Sequence, residues 1–169
     1  KDGRMDQLPG VANFASSAAA AINDAGDIIG TGDNRAFAIR AIDQQLIDLN
    51  AIGGFSTSQA VAINSSGQVG GQATAAGGQP TAFVYDGNQF ITMPPLAAFA
   101  QSMVNDLNDT GLVVGEADGR GFLLNLRQGS LIDFNSRGGF ATSTAVGINN
   151  AGQILGVGDN QPFLYDAKT

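Results

Sequence analysis

Cysteine, histidine and tryptophan are absent from the 169-residue chain. Without them no disulfide, thiolate nucleophile, imidazole base or Cys/His metal site can be built, and any acid–base or covalent chemistry would fall to carboxylates, Arg, Lys, Tyr, Ser and Thr. Basic residues are scarce too: 8 Lys and Arg against 15 Asp and Glu give a formal charge of −7. The cations are scattered singly, with no patch to neutralise phosphate or anionic lipid. Nucleic acid and membrane insertion are therefore not expected. The most apolar stretches, Val11–Ile22 and Pro94–Val104, are too short and too interrupted by polar residues to span a bilayer. Lack of cysteine leaves the compartment open, while a start at Lys1 instead of Met is expected of a chain that was trimmed or lost a leader.

What is present is a repeat. Glycine, with 24 residues, is at roughly twice its usual share, and it recurs at fixed spacing. Taking Asn23, Asn64, Asn108 and Asn149 as anchors, Gly26, Gly67, Gly111 and Gly152 follow three residues later, and Gly30, Gly71, Gly115 and Gly156 seven later. Phe14, Phe55, Phe99 and Phe140 stand nine residues before the anchors, and Ser17, Ser58, Ser102 and Ser143 six before. A second aromatic follows at Phe37, Phe122 and Phe163, and in the second unit at Phe83, displaced by the insertion ATAAGGQ. Aromatics that recur with the architecture belong in a core; burial of each contributes about 2–3 kcal/mol. The repeated serines are expected to bond a neighbouring backbone.

The anchors are 41, 44 and 41 residues apart, and the remaining unit length is divided between the two ends of the chain. The opening GRMDQLP has the register of the segments that end the other units, LIDLN at 46–50, FITMP at 90–94 and LIDFN at 131–135; the fourth unit, after PFLYD, has none. Each unit reads as four short strands, AVAIN, QVGGQ, TAFVYD and QFITM in the second, punctuated by Gly, Asn, Asp and Pro and without helical periodicity. In the I/L-N-x-x-G turn, Asn caps its own turn and Gly takes the positive φ. The second Gly lies inside a strand, where a backbone or ring can approach closely.

The expected fold is all-β: a single-domain, four-bladed β-propeller of four repeats of about 42 residues. The blades are placed at about 18–50, 59–94, 103–135 and 144–169, residues 1–9 giving the last blade its outer strand. The small first strands suit a crowded axis; in the third unit, Asn105 and Asp106 bring polarity to the axis or to a blade junction.

The motifs AAINDAGDIIG, AVAINSSGQVGG, VNDLNDTGLVVG and AVGINNAGQILG, followed by AF, AF, GF and PF, resemble the bacterial extracellular HAF repeat family over nearly the whole chain. The resemblance implies an exported protein, secreted or periplasmic, or a part of one. It implies no established activity and no catalytic residues, and fold likeness alone does not license function.

The chemically richer face is expected at the loops joining strands two and three. It carries Asp33, Asn34 and Arg35; the loop Thr74–Gln79; Glu116, Asp118 and Arg120; and Asp159 and Asn160. Two readings stand. Either these groups form a ring that hydrogen-bonds a polar ligand, a small molecule, a glycan, a peptide or a partner protein, or they are turn-forming residues in solvated hairpins. Asp106-x-Asn108-x-Thr110-Gly111 has the start of a calcium loop, but Ala117 falls where its bidentate acid belongs, so no metal or other cofactor is expected. The function expected first is a non-catalytic binding module. The alternatives are a small propeller enzyme, either a carboxylate acid–base hydrolase using Glu116 with Asp118 or Asp33 or a pocket-shaping cyclase, and a structural repeat of a larger surface protein.

Overall fold

The computed structural model describes residue 3, residues 5–91 and residues 93–168. Each repeat forms one antiparallel sheet with its strands in chain order. The first contains β1 (Ser17–Ile22), β2 (Ile28–Gly32), β3 (Arg35–Ile39) and β4 (Leu46–Asp48). The second contains β5 (Thr57–Ile63), β6 (Val69–Thr74), β7 (Pro80–Tyr85) and β8 (Phe90–Ile91). The third has β9 (Ser102–Leu107), β10 (Leu112–Ala117), β11 (Arg120–Asn125) and β12 (Ser130–Asp133). The fourth has only β13 (Ser143–Ile148), β14 (Gln153–Gly158) and β15 (Gln161–Asp166).

The anchor turn explains the hairpin between the first two strands. In all four units the Asn side-chain oxygen accepts from the N–H four residues on, at 2.9–3.1 Å. The Asn carbonyl accepts from the following glycine N–H. Every first strand carries a β-bulge three residues before its anchor, at Ala20, Val61, Asn105 and Val146, which increases local twist. The glycine inside each second strand is there because of contact. A Cβ on Gly115 would lie 2.0 Å from the Met103 carbonyl oxygen and 2.9 Å from Phe122; Gly30, Gly71 and Gly156 meet the equivalent atoms.

The repeated phenylalanines pair within units. Phe14 stacks on Phe37 at 5.6 Å, Phe55 on Phe83 at 6.2 Å and Phe140 on Phe163 at 5.4 Å between centroids. Phe37, Phe83 and Phe122 are buried. Successive sheets pack against one another, first to second, second to third and third to fourth, and no comparable packing joins the fourth to the first among the described residues.

Two sequence expectations need correction. Residues 5–9 form no strand, and Met5 is 94 % exposed, so none of the described residues adds a fourth strand to the fourth sheet; Lys1, Asp2 and Arg4 lie outside the described residues. Among the described residues the fourth sheet has three strands and ends at β15. Secondly, two short helices follow β4 and β12: α1 (Leu49–Gly53) and α2 (Phe134–Gly138). Asp48 caps α1 by accepting from Ala51 N–H, Asp133 caps α2 by accepting from Asn135 and Ser136, and Gly54 and Gly139 end them with φ of 65° and 72°. One turn of helix is too short to leave a periodicity, although D-L-N-x-x-G-G and D-F-N-x-x-G-G contain both caps.

Candidate functional site

The hairpins joining second and third strands have positive φ at both central residues where they are tightest: Asp33 and Asn34 at 49° and 62°, Asp118 and Gly119 at 48° and 74°, Asp159 and Asn160 at 47° and 65°. These are the values of a two-residue type I′ turn, which Asp, Asn and Gly tolerate best. The three carboxylates point back to the strand-one entry loop. Asp33 accepts from the N–H groups of Ala15 and Ser16, Asp118 from Ala100 and Gln101, and Asp159 from Ala141 and Thr142, at 2.8–3.2 Å. The two N–H donors from Ala15 and Ser16, with Arg35 adding a smaller Coulombic contribution, hold the Asp33 carboxyl below its ordinary range despite some opposing desolvation.

The other sequence candidates are likewise engaged. Arg35 pairs with Asp48, and Arg120 with Asp133 at 2.9 Å, so each cation reaches the acid that caps the next helix. Asn34 offers its carbonyl to Ser58 N–H at 2.8 Å. The Glu116 carboxylate accepts from the Thr144 hydroxyl of the next sheet. Glu116 and Asp118 do border one small cleft, of about 140 Å³, between the second and third sheets. Both carboxylates are nonetheless held by protein donors. The structure therefore brings the eight candidates to one kind of hairpin and binds most of them internally.

Sheet junctions take up the remaining repeated polar groups. Ser58, Ser102 and Ser143 are buried and their Oγ atoms accept from Ala36, Ala82 and Gly121 N–H, each at 2.9 Å. The amides of Asn23, Asn64 and Asn108 each donate to the carbonyl of the next anchor at 3.0–3.1 Å. In the third unit Asn105 donates to the Ala145 carbonyl and Asp106 accepts from Ile148 N–H, both at 2.8 Å. Their polarity thus serves the junction with the fourth sheet.

Open space lies on the anchor-turn side. A central cavity of about 380 Å³ is lined by the anchor ends of all four first strands, from Ile22 and Asn23 to Ile148 and Asn149. Two larger clefts occur at equivalent places, between the first and second sheets (about 590 Å³) and between the third and fourth (about 490 Å³). Their walls differ. The first has Ile39, Ile47, Ile63, Val69 and Tyr85 on its walls with Arg40 and Asp27 among its lining residues; the second is more polar, with Asn125, Arg127, Gln128 and Lys168. Ala38 stands where the second and third units carry Val84 and Leu123, and this smaller side chain leaves the first cleft its apolar depth.

Within the first cleft, Asp27 accepts from the Asn23 amide and from Ala41 N–H, fixing the wall. Tyr85 is buried and donates to the Gly87 carbonyl at 3.0 Å. Burial, and secondarily the charge of Asp86, raises the Tyr85 phenol above its ordinary pKa. Arg40 is exposed and bonds Gln45 at 2.7 Å and Asp43 beside it. Sequence reading missed this cleft because it depends on an inter-sheet gap; the one local signal was Ala38 at a position that is larger elsewhere.

No cluster of three or more Asp or Glu able to hold a metal occurs among the described residues. Among those residues no helix is long and apolar enough to cross a membrane. No family model matches the chain, and no curated protein is significantly similar to it.

Proposed function

We propose that this chain is a non-catalytic interaction module of propeller type, exported from a bacterial cell, whose four sheets act as blades around the central cavity and whose ligand lies in a cleft between blades. The observation that carries this reading is the recurrence of a cleft at two equivalent junctions, beside hairpins whose carboxylates are already bonded. Ligand binding is thereby moved from the Asp33, Asp118 and Asp159 hairpins to the anchor-turn side. The aliphatic walls and the rim cation of the first cleft fit an extended peptide segment of a partner protein, with an aliphatic side chain inserted and an acidic or carbonyl group near Arg40. A glycan would use the more polar second cleft. Acid–base catalysis has less support, since Glu116 and Asp118 face protein donors.

The test is amide chemical-shift mapping of the labelled chain titrated with short peptides carrying leucine beside glutamate, and in parallel with neutral oligosaccharides. Shifts are expected at residues 38–42 and 63–69 with the peptides. They should weaken in Ala38→Leu, which narrows the cleft by the side chain that Leu123 already places in the smaller cleft of the third unit. Shifts confined to the Asp33, Asp118 and Asp159 hairpins would restore the original site, and no response to either set would refute the binding reading.

A further inference from the structure

The two ends of the sheet array are each half of a junction. In the first three units the downstream face is covered by the next sheet: Ile29 and Val114, six residues after their anchors, are 0 % exposed, and Val84 and Leu123 in the third strands are 0 % and 4 %. The same positions in the fourth unit are Leu155 and Leu164, which are 52 % and 71 % exposed. The first strand shows the converse. Ala60, Val104 and Ala145, four residues before their anchors, are 1 %, 0 % and 0 % exposed, whereas Ala19 and Ser17 in β1 are exposed.

Polar groups follow the same asymmetry. The amides of Asn23, Asn64 and Asn108 reach the next anchor's carbonyl, whereas among the described residues the Asn149 amide has only the bond to its own neighbour Gln153, which Asn23 and Asn64 also make to Asp27 and Gln68. Among the described residues the fourth sheet ends at β15. We propose that the fourth sheet of one chain docks on the first sheet of a second copy, head to tail, by repeating the internal junction. Leu155 and Leu164 would then cover Ala19 and its neighbours. The Asn149 amide would also reach the Asn23 carbonyl of the second copy, as the Asn64 amide reaches both Gln68 and the Asn108 carbonyl. The occupant is a second copy because the complementary half of the surface is already present on the same chain, in a geometry the chain uses internally.

One junction bond cannot form. Pro162 stands where Ala36, Ala82 and Gly121 donate to the junction serine, and proline has no N–H to give Ser17. The end-to-end contact is therefore weaker than an internal junction, and the charge of −7 on each copy opposes it, so association should strengthen with salt. Because the contact is heterologous, it generates rings or open arrays, not isologous dimers alone.

The proposal is independent of the cleft reading. It is tested by sedimentation velocity on the chain over about a hundredfold range of concentration, at low and high salt, with two variants: Leu155→Lys/Leu164→Lys blocks the tail, Ala19→Glu the head. All altered positions are exposed, so unchanged thermal unfolding of dilute samples is expected. The parent chain should form concentration-dependent dimers and longer species, each variant alone should stay monomeric, and their mixture should form a heterodimer and nothing longer. A parent chain monomeric throughout, variants that associate like the parent, or a mixture that fails to pair would each overturn it. So would a large fall in the unfolding temperature of the dilute variants, since the two ends would then be meeting within one chain.

Discussion

At the residue scale, the repeat is a set of positions where only one side chain fits. Gly115 is the clearest, with backbone on one side and the Phe122 ring on the other. Gly115→Ala is expected to destabilise the fold by about 3 kcal/mol through overpacking against a backbone oxygen that cannot rotate away. Its chemical-denaturation midpoint should fall well below that of Gly78→Ala, where the nearest atom is 3.4 Å from the new Cβ. Equal midpoints would refute the close-approach account. Such positions were legible in the sequence because their cause is local: an Asn that caps its own turn and a Gly beside an aromatic recur together in each unit. That Asp33, Asp118 and Asp159 can serve as turn formers was legible, but the backbone donors their carboxylates hold were not, because these lie 17 and 18 residues upstream.

At the scale of the element, turns and helix ends are held by carboxylates in their charged form. Backbone N–H donors hold Asp33, Asp86 and Asp109 below their ordinary pKa; at Asp133 burial raises it, but bonds from Ser136, Arg120 and Asn135 together outweigh that. A carboxyl whose folded pKa lies below its unfolded value contributes stability that is complete above the unfolded pKa and is lost as pH falls through the folded one. With no histidine in the chain, thermal stability is expected to stay nearly level between about pH 5 and 8 and to decline below about pH 4. Unfolding temperatures across that range check it. Asp109→Asn should shallow the acid decline, because Asp109 accepts from Ser65 N–H and the Asn150 amide across two sheet junctions. A transition centred near neutrality would contradict the assignment of these groups.

At the scale of the whole molecule, each sheet packs on its sequence neighbours, so stability is distributed almost along one dimension. Among the described residues the second and third sheets pack on a neighbour at both faces, whereas the first and fourth pack comparably on one. Amide exchange in dilute solution should therefore be slowest in β6 and β10 and fastest in β1 and β15; uniform protection would mean that the ends are covered. The order of sheets was readable from the repeat, but its closure was not, since identical junction chemistry can join two units of one chain or two chains. A different consequence follows from the ATAAGGQ insertion. The loop from 75 to 79 is exposed, and a side chain on Gly77 would find no atom within 4 Å. The second unit already tolerates a hairpin that the first, third and fourth make with a two-residue turn. That loop is accordingly the place to graft an epitope, a fluorophore tag or a small folded domain, and paired with the head-to-tail contact it would set such cargo at regular intervals along an array.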